Sequence, residues 1–327
     1  MIGEQTSIET TAIKTGRGRA YGTFGELLQG VLPGDFNFLV TLPVERYSVC
    51  TFSTGSKYNN NLMVTPCHKK KSLQLAKNIL TLYNLPLAGL VEIQSDLREG
   101  KGLASSTADM IATARAIEAC YQIEIPVYQL ESMIRSIEPS DGIMHQGVVS
   151  YYHREVRLKD KIGPCPRLSI LAIDEGGVVD TVSFNHKPNP FSEKNKREYE
   201  ALLDTLTLAL ETNDINLLGD VTTRSAELNQ LLRPKVNLEK MKIIKETIGG
   251  AGIVTAHSGT YIGIIISKED PEYQTKINNG LEELKGQGFD VDIFHSYEEH
   301  SENQEGYGEE INYRSNWRNT NHLVASR

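Results

Sequence analysis

The chain has 327 residues, with 39% hydrophobic and 23% charged side chains and a formal net charge of -8. That length gives room for two compact domains, and the composition is that of a folded chain. The acidic balance argues against a general nucleic-acid surface, which needs a basic patch. The cysteines Cys50, Cys67, Cys120 and Cys165 are scattered with no CxxC pair. This argues against a zinc site or a disulfide framework and suits reduced thiols in the cytoplasm. No apolar leader follows a basic start, and no apolar run reaches the ~18 residues of a membrane span, so neither a signal peptide nor a membrane partner is expected.

Residues 1–18 are polar and expected to be loose until GRGRAYGTFGELLQG begins. DFNFLVTLPV (35–44) and RYSVCTFST (46–54) read as strands of an early sheet. SLQLAKNILTLYNL (72–85) carries apolar residues at helical spacing, and GLVEIQSDL (89–97) alternates as a strand. Helices are expected over 107–123 and 128–138, the second ending before Pro139, with strands over 146–153 and 167–174. The Lys/Asp/Gly/Pro-rich stretch 158–166 reads as a joint between two halves. Helical spacing recurs over 193–212, 214–232 and 237–248, and GIVTAHSGTYIGIIIS (252–267) reads as strand–turn–strand around Ser258-Gly259. A helix over 270–286, a closing strand over 289–295 and a polar, flexible tail over 301–327 complete the reading. Helices and strands without strict alternation indicate an α+β fold.

The stretch EGKGLASSTA (99–108) lies between an expected strand and an expected helix. Its glycines permit backbone shapes closed to other residues, and Ser105, Ser106 or Thr107 could cap the helix. A glycine turn at a helix N-terminus also presents backbone N–H groups to an anion, above all phosphate. It is neither the dinucleotide GxGxxG nor the GxxxxGK[ST] P-loop, since Lys101 lies upstream of the serines. A hydroxyl there could ligate Mg²⁺, which prefers oxygen donors. In ESMIRSIEPSDGIMHQG (131–147), a turn at Pro139–Gly142 could bring Glu131 and Asp141 together, one to hold a metal and the other to accept a proton. GGAGIVTAHSGTYIG (249–263) is a third glycine-rich stretch.

Taken in order, GTFGELLQG (22–30), GLASSTA (102–108) and GGAGIVTAHSGTYIG resemble the three motifs of the GHMP kinase superfamily. Ala104 stands where the family usually has Gly, Thr107 where it has Ala and Arg98 where it has Pro, and the third stretch lacks the usual run ending in Cys. GTFGELLQG, FNFLVTLPVERYS, EPSDG and AHSGTYIGIII together are similar to the L-threonine kinases of cobalamin nucleotide-loop synthesis, also found with propanediol utilisation. The resemblance implies a two-domain fold: a ribosomal-protein-like α+β domain over 1–157, then a ferredoxin-like α/β sandwich over 158–300.

It also implies ATP- and Mg²⁺-dependent transfer of phosphate to an alcohol. Gly100, Lys101, Gly102, Leu103, Ala104, Ser105, Ser106 and Thr107 would hold the nucleotide. Ser106 and Glu131 would hold the metal, and Asp141 would act as base or orient the acceptor hydroxyl. Lys101 could offset phosphate charge. Glu26, Gln29, His257 and Ser258 are candidates to bind a hydroxyl amino acid, with L-threonine ahead of serine and homoserine. Arg46 could meet a carboxylate, although a surface role suits it better. The partner implied is a small molecule, with no nucleic acid and no membrane, and a homodimer is left open. The altered motifs leave a silent, regulatory protein of the same fold as the alternative.

Overall fold

The computed structural model describes residues 13–177 and 189–298, so the expected tail over 301–327 and the loose start over 1–12 lie outside the described residues. Two long antiparallel strands, β1 (Lys14–Leu32) and β2 (Phe36–Thr54), form its spine. Within the described residues the expectation of a loose stretch over 1–18 fails from Lys14 onward, where β1 already begins. GRGRAYG misleads because its glycines suggest a loop. Here they let a helix lie almost on the backbone. A Cβ at Gly16 would fall 2.2 Å from the Ala116 carbonyl oxygen, and one at Gly18 would fall 2.3 Å from that of Ala112. Both alanines belong to α2 (Ser105–Tyr121), whose small residues match the glycines opposite.

β2 runs unbroken through the expected gap at Glu45. Its Pro43, which cannot donate to a ladder, pairs with Thr23 where β1 is irregular. The register of β1 against β2 slips at Tyr21/Gly22, Thr23/Glu26 and Glu26/Leu28. Bulges of this kind re-aim side chains, and these fall within GTFGELLQG.

One sheet carries β3 (Leu62–Thr65), β4 (Gly89–Ser95), β7 (Leu168–Asp174), β8 (Gly252–Thr255), β9 (Tyr261–Ser267) and β10 (Val291–His295) in the order β10-β7-β9-β8-β1-β2-β4-β3. β5 (Val148–Tyr152) pairs with β2 and with β6 (Arg157–Gly163). The expected joint over 158–166 is therefore largely the strand β6. Its sequence RLKDKIG is polar because it pairs on one side only, and an edge strand tolerates charge. The bond pairing Glu26 with Thr255 links β1 to β8, and so the first motif to the third.

The remaining helices are α1 (Lys70–Leu82), α3 (Val127–Arg135), α4 (Glu193–Glu211), α5 (Ile215–Leu228), α6 (Leu238–Ile248) and α7 (Tyr273–Gly286). Each lies within a few residues of its expected span. α4 starts with a capping box between Ser192 and Asn195, and Asp214 caps α5. β9 reads YIGIIIS because both its faces are buried. Ile262, Ile264 and Ile266 join Met241, Ile244, Ile277 and Leu284 in one cluster, while Tyr261 and Ile265 belong to the main core. Among the described residues no helix is long and apolar enough to cross a membrane.

The α2–β1 contact yields a first prediction. Gly18→Ala inserts a methyl group into occupied space and should cost roughly 1–3 kcal/mol or more, read as a lowered urea midpoint. An unchanged midpoint would show that α2 does not lie as close to β1 as described.

Candidate active site

Three glycine-bearing segments meet at the N-terminus of α2. A Cβ at Gly259 would fall 1.9 Å from the Lys101 carbonyl oxygen, and one at Gly102 would fall 2.5 Å from the Ala256 methyl. Gly102 also has φ +80, which a side chain would resist. The Thr260 amide donates to the Lys101 carbonyl at 3.3 Å, and the Thr23 amide donates to Leu103 at 3.2 Å. The 99–104 loop is thus held between β1 and the β8–β9 turn. On the first segment, Gly25 has φ +53 and would place a Cβ 2.3 Å from the Thr255 carbonyl oxygen.

Ala104 is the N-cap residue of α2, in the left-handed region at φ 55, and no side chain caps the helix. The expected caps are spent elsewhere. The Ser106 hydroxyl donates in a very short bond to Glu138, and the Thr107 and Ser140 hydroxyls share a bond of 2.8 Å. A helix start lacking a side-chain cap beside a cleft is suited to an anion. Gly100, Gly102, Leu103, Ala104, Ser105, Ser106 and Thr107 line that cleft. The Lys101 ammonium does not. It is held by Asp174 at 2.6 Å and by the Gly177 carbonyl at 2.7 Å, away from the residues that line the cleft.

The opposite wall holds Glu138, Pro139, Asp141, Glu26, His257 and Ser258. Glu138, absent from the expected set, takes the place expected of Glu131. α3 ends at Arg135, and the chain then turns so that Glu138 rather than Glu131 meets Ser106. Glu131 lies within α3, where its Oε1 meets His145 Nε2 at 2.9 Å and accepts from the Tyr151 hydroxyl at 3.0 Å. Its contacts are with His145 and Tyr151, and the Ser106 hydroxyl meets Glu138 instead. The other Glu138 oxygen accepts from the Lys71 ammonium at 2.5 Å, so a cation already sits on this carboxylate.

Burial raises the Asp141 carboxyl to about 6, helped by the Glu138 charge. Burial also raises Glu26 well above the usual carboxylate range, with Asp141 adding to the effect. His257 is pushed down to about 3 by burial and by the Arg154 charge, so its ring is neutral at pH 7. Its Nδ1 donates to Gln29 Oε1 at 2.7 Å, and Gln29 Nε2 donates to the Thr255 carbonyl at 3.0 Å. Gln29 therefore orients His257 from behind and does not line the cleft. Arg46 is exposed, sits over the Phe294 ring at 5.5 Å and takes the surface role.

Further residues outside the expected set brace the third segment. The Gly259 carbonyl accepts from Lys235 Nζ at 2.7 Å and from Arg233 Nε at 3.1 Å. Burial brings the Lys235 ammonium down to about 7. No cluster of three or more His, Cys, Asp or Glu side chains among the described residues could hold a metal by itself. The donors present are the Ser106 hydroxyl and the Glu138 and Asp141 carboxylates. Hard oxygen donors in that number suit Mg²⁺, which commonly takes one or two carboxylates and completes its shell with water and phosphate oxygens.

Residues 70–151, from α1 through the glycine-serine loop to β5, match the family model for the GHMP kinases N terminal domain. The fold is that of the GHMP kinases. A homoserine kinase from Cytophaga hutchinsonii superposes with a TM-score of 0.67 at 14% identity, covering 91% of this chain and 97% of that one. The chain MDDEF, solved with MVAPP, AMPPCP and magnesium, superposes with a TM-score of 0.63 at 16% identity, covering 87% of this chain and 97% of that one. In sequence, the chain is 25% identical over 252 residues to an L-threonine kinase of Citrobacter freundii, spanning 76% of this chain and 86% of that relative.

The raised Asp141 carboxyl gives a prediction with a definite sign. The folded state binds this proton more tightly than the unfolded state. The resulting stability is present at low pH and is lost as pH rises through about 6. In metal-free buffer, Asp141→Asn should therefore melt higher than wild type at pH 8, by roughly 1–3 kcal/mol, and the gap should close toward pH 4. A gap independent of pH would mean that Asp141 is not desolvated. Ala104→Gly should also raise stability, by up to about 1 kcal/mol, because it relieves a left-handed alanine.

Proposed function

We propose that this protein transfers the terminal phosphate of ATP to the side-chain hydroxyl of an amino acid, with L-threonine the favoured acceptor. One observation carries the reading: a glycine loop and a helix N-terminus without a side-chain cap share a cleft with Ser106, Glu138 and Asp141. The family-model match over that loop supports phosphate transfer, and the Citrobacter relative supports the acceptor. The solved chain that holds AMPPCP and magnesium supports the nucleotide and the metal. The division into a nucleotide-binding half over 1–157 and a second half over 158–300 is part of this proposal.

The amides of the 102–107 segment and the positive end of α2 receive the phosphates. Ser106 and Glu138 would hold Mg²⁺, which when bound neutralises charge developing on the transferred group. Lys71, now on Glu138, keeps that carboxylate compensated while no metal is there. Asp141 accepts the proton of the acceptor hydroxyl. Its raised pKa brings proton affinity closer to working pH than an ordinary aspartate has. His257, neutral and steered by Gln29, and Ser258 contact the acceptor. Catalysis is then positioning and electrostatics, with no covalent intermediate on the protein.

The test is ADP release from Mg·ATP with L-threonine, L-serine, L-homoserine or no acceptor. Threonine-dependent release is expected. Ser106→Ala and Glu138→Gln should each lower kcat roughly 100-fold or more and shift the Mg²⁺ dependence. Glu131→Gln should lower the melting temperature and leave the Mg²⁺ dependence unchanged. Nucleotide binding with no turnover on any acceptor would instead favour a silent regulator of the same fold.

A further inference from the structure

Arg154 lies in the turn between β5 and β6, outside every motif singled out in the sequence. Two contacts of the adjoining His153 fix that turn against the site. The His153 ring meets the His257 ring edge-on at 5.1 Å between centroids, and the His153 carbonyl accepts from the Ser140 amide at 3.0 Å. Arg154 thus stands beside the histidine that lines the cleft and close to the segment that carries Asp141.

Burial disfavours its charge, and only the neighbouring Glu155 charge acts in its favour. Arg154 makes no hydrogen bond or ion pair among the described residues, and its Nε is buried without a partner. Glu155 is the adjacent carboxylate, but it forms no ion pair with Arg154, and its own Oε2 is also buried without a partner. Burying part of an unpaired guanidinium is unfavourable. On the cleft wall, Glu26 is only 3% exposed, and its Oε2 too has no partner. The cleft wall therefore holds an unsatisfied carboxylate oxygen on Glu26, and the Arg154 guanidinium, which stands behind the lining residues but near enough for its charge to act on His257, is unsatisfied as well. A neutral alcohol would leave both unsatisfied. A zwitterion would satisfy both.

We infer that Arg154 binds the carboxylate of the acceptor and Glu26 its ammonium group, so that the site selects a free α-amino acid over an uncharged alcohol. This rests on the amino-acid reading above and assigns the residues that make the selection. The planar guanidinium can pair with a carboxylate through two parallel bonds, which a lysine cannot do. The His257 ring, kept neutral by burial and by the Arg154 charge, adds no competing positive charge beside Arg154.

The experiment compares L-threonine, L-threoninol (no carboxylate) and 3-hydroxybutyrate (no ammonium) at saturating Mg·ATP. It uses wild type, Arg154→Met and Arg154→Lys, with thermal melting of each. Wild type is expected to prefer L-threonine over L-threoninol roughly 10- to 100-fold in kcat/KM, the worth of a charge-assisted bond. Arg154→Met should erase that preference by raising the KM for L-threonine, with the KM for ATP unmoved. Arg154→Lys should recover part of it. The melting temperature of Arg154→Met should be no lower than wild type, since the arginine has no hydrogen bond or ion pair among the described residues to lose. An unchanged L-threonine KM in Arg154→Met overturns the assignment, as does a loss of both substrates together with a lowered melting temperature. A wild-type protein that phosphorylates other alcohols but no amino acid overturns the amino-acid reading itself, and this assignment with it.

Discussion

The Gly259 backbone lies directly against the Lys101 carbonyl, leaving no space for a side chain. The rest of the site depends on that contact. It joins the β8–β9 turn to the glycine-serine loop, as the close approach of Gly25 to Thr255 joins the first motif to the third. Close packing makes such contacts nearly all-or-none, because one methyl group on any of these backbones would force them apart. Arg233 and Lys235 hold the Gly259 carbonyl from the other side, so the turn is clamped between a backbone and two basic side chains. Segments far apart in the chain thereby deliver Glu26, Ser106 and His257 to one cleft.

The cleft concentrates unfavourable features that the fold elsewhere avoids. Ala104 is held left-handed, α2 begins without a side-chain cap, and Glu26 and Asp141 face one another across space that burial has made less polar. By contrast, α4 and α5 start with side-chain caps. Strain and uncapped backbone of this kind gather at functional sites, where they are offset by packing elsewhere. The stability cost is carried by packing away from the cleft, where Gly16 and Gly18 of β1 lie against Ala116 and Ala112 of α2.

Part of this was legible in the sequence for physical reasons. EGKGLASSTA could be read because a glycine turn opening a helix has little other use than close packing or anion binding. The helices α1, α4, α6 and α7 announced themselves through apolar spacing. β1 did not, because glycines that serve contact with α2 look like glycines that loosen a loop. β6 did not either, because a strand paired on one side need not look like one.

The candidate site divides the same way. Local chemistry in the sequence determined the glycine turn that opens α2, the hydroxyl at Ser106 and the carboxylate at Asp141, since each depends on neighbours a few residues away. Which carboxylate stands beside Ser106 was a tertiary matter. Glu131 and Glu138 both lie near the end of α3, and only the turn after Arg135 sends the second into the cleft and leaves the first with His145 and Tyr151. The same holds for Lys101, which Asp174 captures from another strand, and for Arg154, whose Nε is buried with no hydrogen-bond partner among the described residues. Local sequence encodes backbone shape and chemical type. Pairing and its absence exist only once distant strands have come together.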